Sequence, residues 1–159
     1  MNKFSKKADQ RIDKRRLRMW IRMLRTTRSA ESQLRELLRE EFNTTLPRFD
    51  VLAALDRAEQ GLKMSALSKQ LLVSNGNVTG IVDRLVSDGL VQRVMVENDR
   101  RSTIVCLSNE GRKSFHRMAD RHAGLVNDLF SEMNEKDLNV LADIFGRLKQ
   151  KDDEHDQDG

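Results

Sequence analysis

Cysteine, proline and aromatic residues are scarce in this chain of 159 residues, which contains one cysteine, one proline, one tryptophan and no tyrosine. The single Cys106 excludes an internal disulfide and is typical of a protein from a reducing compartment. No apolar run approaches the roughly 18 residues of a membrane span, and the basic N-terminus lacks the apolar core of a signal peptide. We therefore expect a cytoplasmic protein.

The motifs of the common enzyme classes are also missing. There is no glycine-rich phosphate loop, no G-x-S-x-G, no H-E-x-x-H and no pair of cysteines. Three histidines and one cysteine are too few for most metal or nucleophile sites. The sequence therefore predicts a protein that is not an enzyme and that holds neither a metal nor another cofactor.

Charge is abundant and unevenly distributed. Charged residues make up 34% of the chain, and the formal net charge of +4 favours a polyanionic partner. Basic residues far outnumber acidic ones over residues 1–28, and we interpret residues 1–10 as a flexible basic arm. Residues 151–159 are mostly acidic and lack apolar side chains, which predicts a disordered tail.

The pattern of residues 64–89 is that of a helix-turn-helix. Ser65 is suited to cap a first helix, in which leucines recur at helical spacing. Residues 74–76 break that helix and start a second one, with Ser74 as its N-cap, and Gly89 ends it. The second helix has an apolar face formed by Val78, Ile81, Val82 and Leu85, and an opposite polar face that is not needed for packing on the core.

Two valine-rich segments, residues 90–96 and 103–107, follow as predicted strands around a polar tip at residues 97–101. A helix-turn-helix followed by such a hairpin is a winged helix, so the predicted fold is mainly α with a small β-hairpin wing. Apolar stripes at both ends of the chain predict flanking helices that would bury those stripes best against a second copy. The predicted divisions are the arm 1–10, an N-terminal dimerisation helix 11–45, the winged helix-turn-helix 46–111, C-terminal dimerisation helices 112–150 and the tail 151–159.

Three blocks of sequence resemble the MarR-type transcriptional regulators. They are Gly89-Leu90-Val91-Gln92-Arg93, then Asp99-Arg100-Arg101, then Val105 to Arg112, which together are similar to the pattern GLVxR…DRR…VxLTxxGR, with Ser108 in place of the usual threonine. Ser74 to Leu85 resembles the recognition helix of that family. The resemblance implies a regulator that binds double-stranded DNA.

A recognition helix places its N-terminal residues at base edges in the major groove. Asn75 and Asn77 can offer a paired donor and acceptor to adenine, and Thr79 can reach a base or a phosphate. Gly76 and Gly80 allow close approach of the backbone. The remaining predicted contacts of the two helices are with phosphates or the wing, from Ser65, Lys69, Ser74 and Arg84.

At the wing tip, the resemblance implies that Arg100 lies in the minor groove, whose negative potential suits arginine. Asp99 and Arg101 would then hold the wing by pairing with each other or with the recognition helix, where Asp83 and Arg84 are the candidate partners.

These predictions combine into a homodimeric repressor of a pseudo-palindromic operator. The resemblance implies release by an effector bound between the dimer helices and the DNA-binding unit, often an aromatic carboxylate; the arginine-rich N-terminus would also suit an acyl-CoA-like anion. The candidate effector residues, for which core packing is the alternative, are Trp20, Leu24, Arg28, Phe49, Leu52, Met118 and His122. The alternative function is an architectural or protein-interaction winged helix without an effector.

Overall fold

The computed structural model describes the backbone of residues 3–71, 75–96 and 99–157, and the side chains of residues 11–71, 77–95 and 103–149. Within those ranges the chain is mostly helical with a small antiparallel sheet, as predicted. The elements in chain order are α1 (Lys3–Phe42), α2 (Leu46–Asp56), β1 (Leu62–Lys63), α3 (Met64–Leu71), α4 (Asn75–Ser87), β2 (Val91–Val96), β3 (Asp99–Leu107), α5 (Asn109–Leu129) and α6 (Glu135–Gln157).

The chain divides into two compact units, Met1–Ala123 and Gly124–Gly159. The core of the first unit lies where the helix-turn-helix meets α2, the sheet and the first half of α5. Each of these elements contributes its apolar face, as the spacing predicts. The core side chains that are fully buried, or nearly so, are Leu38, Val51, Leu52, Ala54, Leu55, Leu67, Val78, Val82, Leu85 and Val105.

Helix α1 is longer than the sequence predicts. It is helical from Lys3, so most of the expected flexible arm over residues 1–10 continues the helix. Residues 1–10 contain no glycine or proline, and their three lysines, one alanine and one glutamine favour helix. Among the described side chains of α1, those near its C-terminal end enter the core: Leu34 and Leu38 are buried, and Leu37 and Phe42 pack against it.

The sheet contains one strand that the sequence did not predict. The two-residue strand β1 pairs with β3, so the order is β1-β3-β2, with Leu62 opposite Val105. In the wing, β2 pairs with β3 from Val91 opposite Leu107, and the register shifts between Met95 and Val96. Strand β3 begins at Asp99, so it includes residues 99–101, which were predicted as part of the tip.

The second unit contains the end of α5 and the helix α6. Asn134 caps α6 in a reciprocal pair: the backbone N–H of Asp137 donates to Asn134 Oδ1 at 3.1 Å, and the N–H of Asn134 donates to Asp137 Oδ2 at 3.2 Å. Helix α6 continues to Gln157, so the backbone of residues 151–157 is helical where a disordered tail was predicted. No glycine or proline interrupts this stretch before Gly159. In the described ranges no helix is long and apolar enough to cross a membrane.

Candidate nucleic-acid interface

Helix α4 separates its apolar and polar residues onto opposite faces, as the sequence predicts. Val78, Val82 and Leu85 are fully buried in the core of the first unit. The other face carries exposed polar groups, small residues and charges. Its described members are Asn77, Thr79, Gly80, Asp83 and Arg84. The apolar face fixes the helix on the core, so this polar face is available to an external partner.

The C-terminal end of α4 is fixed by a glycine in the left-handed region. Gly89 has φ of 73°, its N–H donates to the carbonyl of Val86 at 3.0 Å, and the N–H of Leu90 donates to the carbonyl of Leu85 at 3.0 Å. These two bonds form a Schellman motif, so Gly89 ends the helix as predicted. The chain then turns directly into β2, which sets the position of the wing relative to α4.

Two ion pairs link α4 and the residue after it to neighbouring elements. Arg48 of α2 binds the carboxylate of Asp88, and Arg93 of β2 binds Asp83 with 2.6 Å between Nη2 and Oδ1. Both pairs are partly exposed, so each stabilises the fold by at most about 1 kcal/mol. Their main effect is to fix the orientation of α4 relative to α2 and to the wing.

Arg48 and Asp88 were not predicted from the sequence to have a role, and neither was Arg93. Arg93 belongs to the quoted GLVxR block, which was the available signal; nothing local in the sequence links Arg48 to Asp88. Asp83 pairs with Arg93; its predicted pairing with the wing-tip residues stays a prediction, because those side chains lie outside the described residues.

The other predicted DNA contacts are placed as follows. Ser65 and Lys69 are exposed on α3. The backbones of Asn75 and Gly76 lie in the first turn of α4, and those of Asp99, Arg100 and Arg101 lie in β3, but their side chains are outside the described residues. Ser74 lies outside the described residues altogether. Their contacts therefore stay predictions.

A polar pocket lies between the start of α2 and the exposed face of α4; we call it the α2–α4 pocket. Its volume is about 280 Å³. One wall comes from the α1–α2 turn and the first turn of α2, and the other from α4. The lining residues are Asn43, Thr44, Thr45, Arg48, Asn77, Gly80, Ile81 and Arg84.

The candidate effector residues do not form one site within the described chain. Phe49, Leu52 and Met118 are buried in the core, where Leu38 of α1 also lies. With a rise of about 1.5 Å per residue, Trp20 lies roughly 27 Å along α1 from Leu38. Trp20, whose surface is 55% exposed, therefore lies far from that cluster. Leu24 and Arg28 belong to the same outer part of α1.

Two members of the candidate effector set, Phe49 and His122, do lie together, at the edge of the core. The rings of Phe49 and His122 stack with centroids 4.8 Å apart, and Phe115 packs against Phe49 at 5.5 Å. Beside them, partial burial raises the pKa of the Asp50 carboxyl, while the nearby His122 and Arg35 act to lower it. This edge combines aromatic surface with ionisable groups.

The arrangement of α3, α4 and the β2–β3 wing defines a winged helix-turn-helix protein. A model of the MarR family matches residues 42–102. The transcriptional regulator PecS of Dickeya dadantii is 31% identical over 103 residues, covering 64% of this chain and 62% of PecS. The transcriptional activatory protein BadR of Rhodopseudomonas palustris is 30% identical over 116 residues, covering 69% of this chain and 66% of BadR.

Solved structures agree with the sequence matches. The structure of a MarR family transcriptional regulator from Silicibacter pomeroyi superposes with a TM-score of 0.71 at 29% identity, covering 87% of this chain and 96% of that one. Together, the family model, the relatives and the solved structure support a MarR-family winged-helix regulator. The chain spans less than two thirds of the length of PecS and of BadR. The matched relatives are named as transcriptional regulators, in agreement with the prediction that the protein is not an enzyme.

Proposed function

We propose that this protein is a sequence-specific DNA-binding transcriptional regulator that acts as a homodimeric repressor on a pseudo-palindromic operator. The observation that carries the proposal is the exposed polar face of α4, fixed on a fully buried apolar face and followed by the wing. A helix held in this way can present Asn77 and Thr79 to base edges in the major groove. The matched relatives PecS and BadR are named as transcriptional regulators, which supports this assignment.

The test is fluorescence anisotropy of the purified protein on DNA from upstream of its own gene and on an unrelated duplex, each at two salt concentrations. We expect tight binding to the first that survives the higher salt, and weak, salt-sensitive binding to the second. Asn77→Ala should weaken binding to the first duplex by about 1–3 kcal/mol, roughly fivefold to more than a hundredfold. Gln60→Ala, which removes an exposed amide in a turn outside α3, α4 and the wing, is the matched control.

Equal and strongly salt-dependent binding to both duplexes would mean that phosphates alone hold the protein, as for an architectural DNA binder. No binding to either, or to operators selected from the whole genome, would favour a protein-interaction module. Transcription from the bound promoter in a purified system decides the sign of regulation. A rise on addition of the protein would contradict the repressor assignment, and BadR is named an activatory protein.

The homodimer is supported by large apolar side chains that each unit leaves exposed. Large contiguous patches of exposed apolar side chains mark interaction surfaces. In the second unit, α6 exposes Leu138, Phe145 and Leu148, and a mainly apolar groove of about 560 Å³ includes Leu138 and Phe145. In the first unit, the outer part of α1 exposes further residues, namely Ile12, Leu17, Met19, Trp20 and Ile21.

Sedimentation measures the oligomeric state directly. We expect a dimer for the unmodified chain and a monomer, or a much weaker dimer, for Phe145→Glu. Arg147→Glu changes a neighbouring exposed residue that is not apolar and serves as the charge control. If the unmodified protein sediments as a monomer at micromolar concentration, the proposed homodimer is wrong.

For the effector, we propose a small anion with an aromatic or acyl group that binds at the Phe49–His122 edge and releases DNA. Stacked rings beside ionisable groups suit such a ligand. The ligand acts only if it prefers the state that fits DNA poorly. Aromatic carboxylates and acyl-CoA thioesters can be screened by loss of anisotropy, and release should fail in His122→Ala. Release that persists in this variant would place the effector elsewhere, for example at Trp20, Leu24 and Arg28.

A further inference from the structure

We propose that the α2–α4 pocket binds one phosphate of the DNA backbone in each half-site, with Arg48 and Arg84 as the charged ligands. This inference rests on the proposed function and adds a contact from α2, an element that was not predicted to contact DNA. The pocket joins α2 to the exposed face of α4 through Asn77, Gly80 and Arg84. A phosphate held there would lie directly beside the residues that face the bases.

The charge of the pocket favours an anion. Its charged lining residues are Arg48 and Arg84, and the remaining lining residues are neutral. Asp88 pairs with one terminal nitrogen of Arg48. Among the described side chains Arg84 has no ion pair and no hydrogen bond. Arginine presents several donors in a fixed plane, which matches the oxygens of a phosphate.

Arg48 retains unused donors. Its side chain is only 22% exposed, and its buried Nε has no hydrogen-bond partner in the described part of the chain. A buried donor without a partner is unfavourable, so a ligand oxygen or water that reaches this group would be bound favourably. Asp88 holds the guanidinium in one place, which reduces the conformational entropy that binding costs.

The first turn of α2 adds neutral donors at the same wall. Thr45 is the N-cap residue, with extended backbone, and its hydroxyl makes no capping hydrogen bond. The hydroxyl and the free N–H groups of this turn are therefore available to an anion, and the helix dipole favours negative charge there. Pro47 in this turn has no N–H to contribute.

Gly80 is an independent indication of a close external approach. A Cβ built at Gly80 would meet nothing within 4 Å, so the described core does not need a glycine at this position. Glycine inside a helix is nevertheless unfavourable relative to alanine. The open space that it leaves is part of the α2–α4 pocket. A DNA backbone lying against α4 at this point accounts for a residue without a side chain.

The experiment combines protein variants with DNA in which single phosphates of the operator are replaced by uncharged methylphosphonates. For the unmodified protein, one position in each half-site should weaken binding roughly tenfold or more, as expected for loss of a charge-assisted contact. In Arg84→Met and in Arg48→Met the same replacement should have little further effect, because the partner is already gone. Arg117→Met, an exposed arginine of α5 outside the pocket, should keep the full sensitivity.

Gly80→Ala gives a second readout that does not depend on removing a charge. It should raise the urea midpoint, because alanine favours helix and no described atom opposes the new methyl group. It should also weaken binding to the operator. Opposite changes in stability and in affinity indicate that the space at Gly80 serves the ligand; unchanged affinity would contradict the proposal.

The remaining outcomes are decisive. If the unmodified protein binds the operator specifically, yet no methylphosphonate position loses its effect in Arg84→Met, the pocket holds no phosphate and only this inference fails. If instead small carboxylates release DNA from the unmodified protein but not from Arg84→Met, the pocket is an effector site and the inference also fails. If no specific duplex is found, the proposed function fails and this inference with it.

Discussion

Replacing Gly111 with alanine should destabilise the protein strongly. A Cβ at Gly111 would lie 1.8 Å from the carbonyl oxygen of Leu90 and 2.8 Å from its carbonyl carbon. Carbon and oxygen approach to about 3.3 Å, so α5 or the chain at Leu90 must move by roughly 1.5 Å. The oxygen is held in place, since the N–H of Ser108 donates to it at 3.0 Å. Overpacking that side chains can absorb costs about 1–3 kcal/mol; with backbone as the obstacle, we expect about 3 kcal/mol or more.

Urea denaturation followed by circular dichroism measures this cost. Gly124→Ala is the matched control, because Gly124 lies in the same helix and a Cβ there meets nothing within 4 Å. The control should gain about 0.5–1 kcal/mol from helix propensity. The reasoning is refuted if Gly111→Ala has the same midpoint and slope as the unmodified protein. Because Leu90 immediately precedes β2, the variant should also bind DNA less well under conditions in which it is still folded.

Three further changes test other contacts. Asn134→Ala should cost about 1 kcal/mol by removing the N-cap of α6, and a double-mutant cycle with Asp137→Ala should show non-additive effects, since strictly additive ones would contradict the reciprocal capping bonds. The hydrogen bond from Arg121 lowers the pKa of Glu41 below its usual 4.5, so its contribution to stability is present above that value and is lost as pH falls through the lowered pKa. The midpoint of Glu41→Gln should therefore fall less on acidification than that of the unmodified protein; parallel pH profiles would argue against this pair. Leu85→Ala removes a fully buried side chain from α4 and should cost about 2–5 kcal/mol by denaturation, and a loss below 1 kcal/mol would mean that the core is not packed as described.

The winged helix-turn-helix could be predicted because its signals are local. The helical spacing of the apolar residues on α4 determines which face is buried. Gly89 marks the end of the helix, at the position where a residue in the left-handed region is needed. The Asn134 cap is also a local signal, and its hydrogen bonds are observed. In each case the signal is a pattern of residues within a few positions of one another, so their spacing alone was sufficient for the prediction.

Features that depend on distant residues could not be predicted in the same way. The pairs Arg48–Asp88 and Arg121–Glu41 join residues 40 and 80 positions apart, and strand β1 has only two residues and exists because β3 lies beside it. At the two ends of the chain, composition predicts a flexible arm over residues 1–10 and a disordered tail over residues 151–159, and both stay predictions; the backbone is helical from Lys3 in α1 and up to Gln157 in α6.

The contacts of α2 connect the two sites that we propose. Phe49, at the proposed effector edge, and Arg48, at the proposed phosphate pocket, are adjacent residues in the first turns of α2. Arg48 also binds Asp88 at the end of α4. A displacement of α2 by an effector would therefore move a phosphate ligand and one end of the recognition helix together, because these contacts are short and packed interiors deform little. Local loss of DNA contacts in each half-site would then be sufficient for release, without a large change in the separation of the two half-sites. Arg48→Met would, on this argument, reduce both the affinity for DNA and the effect of the effector on it.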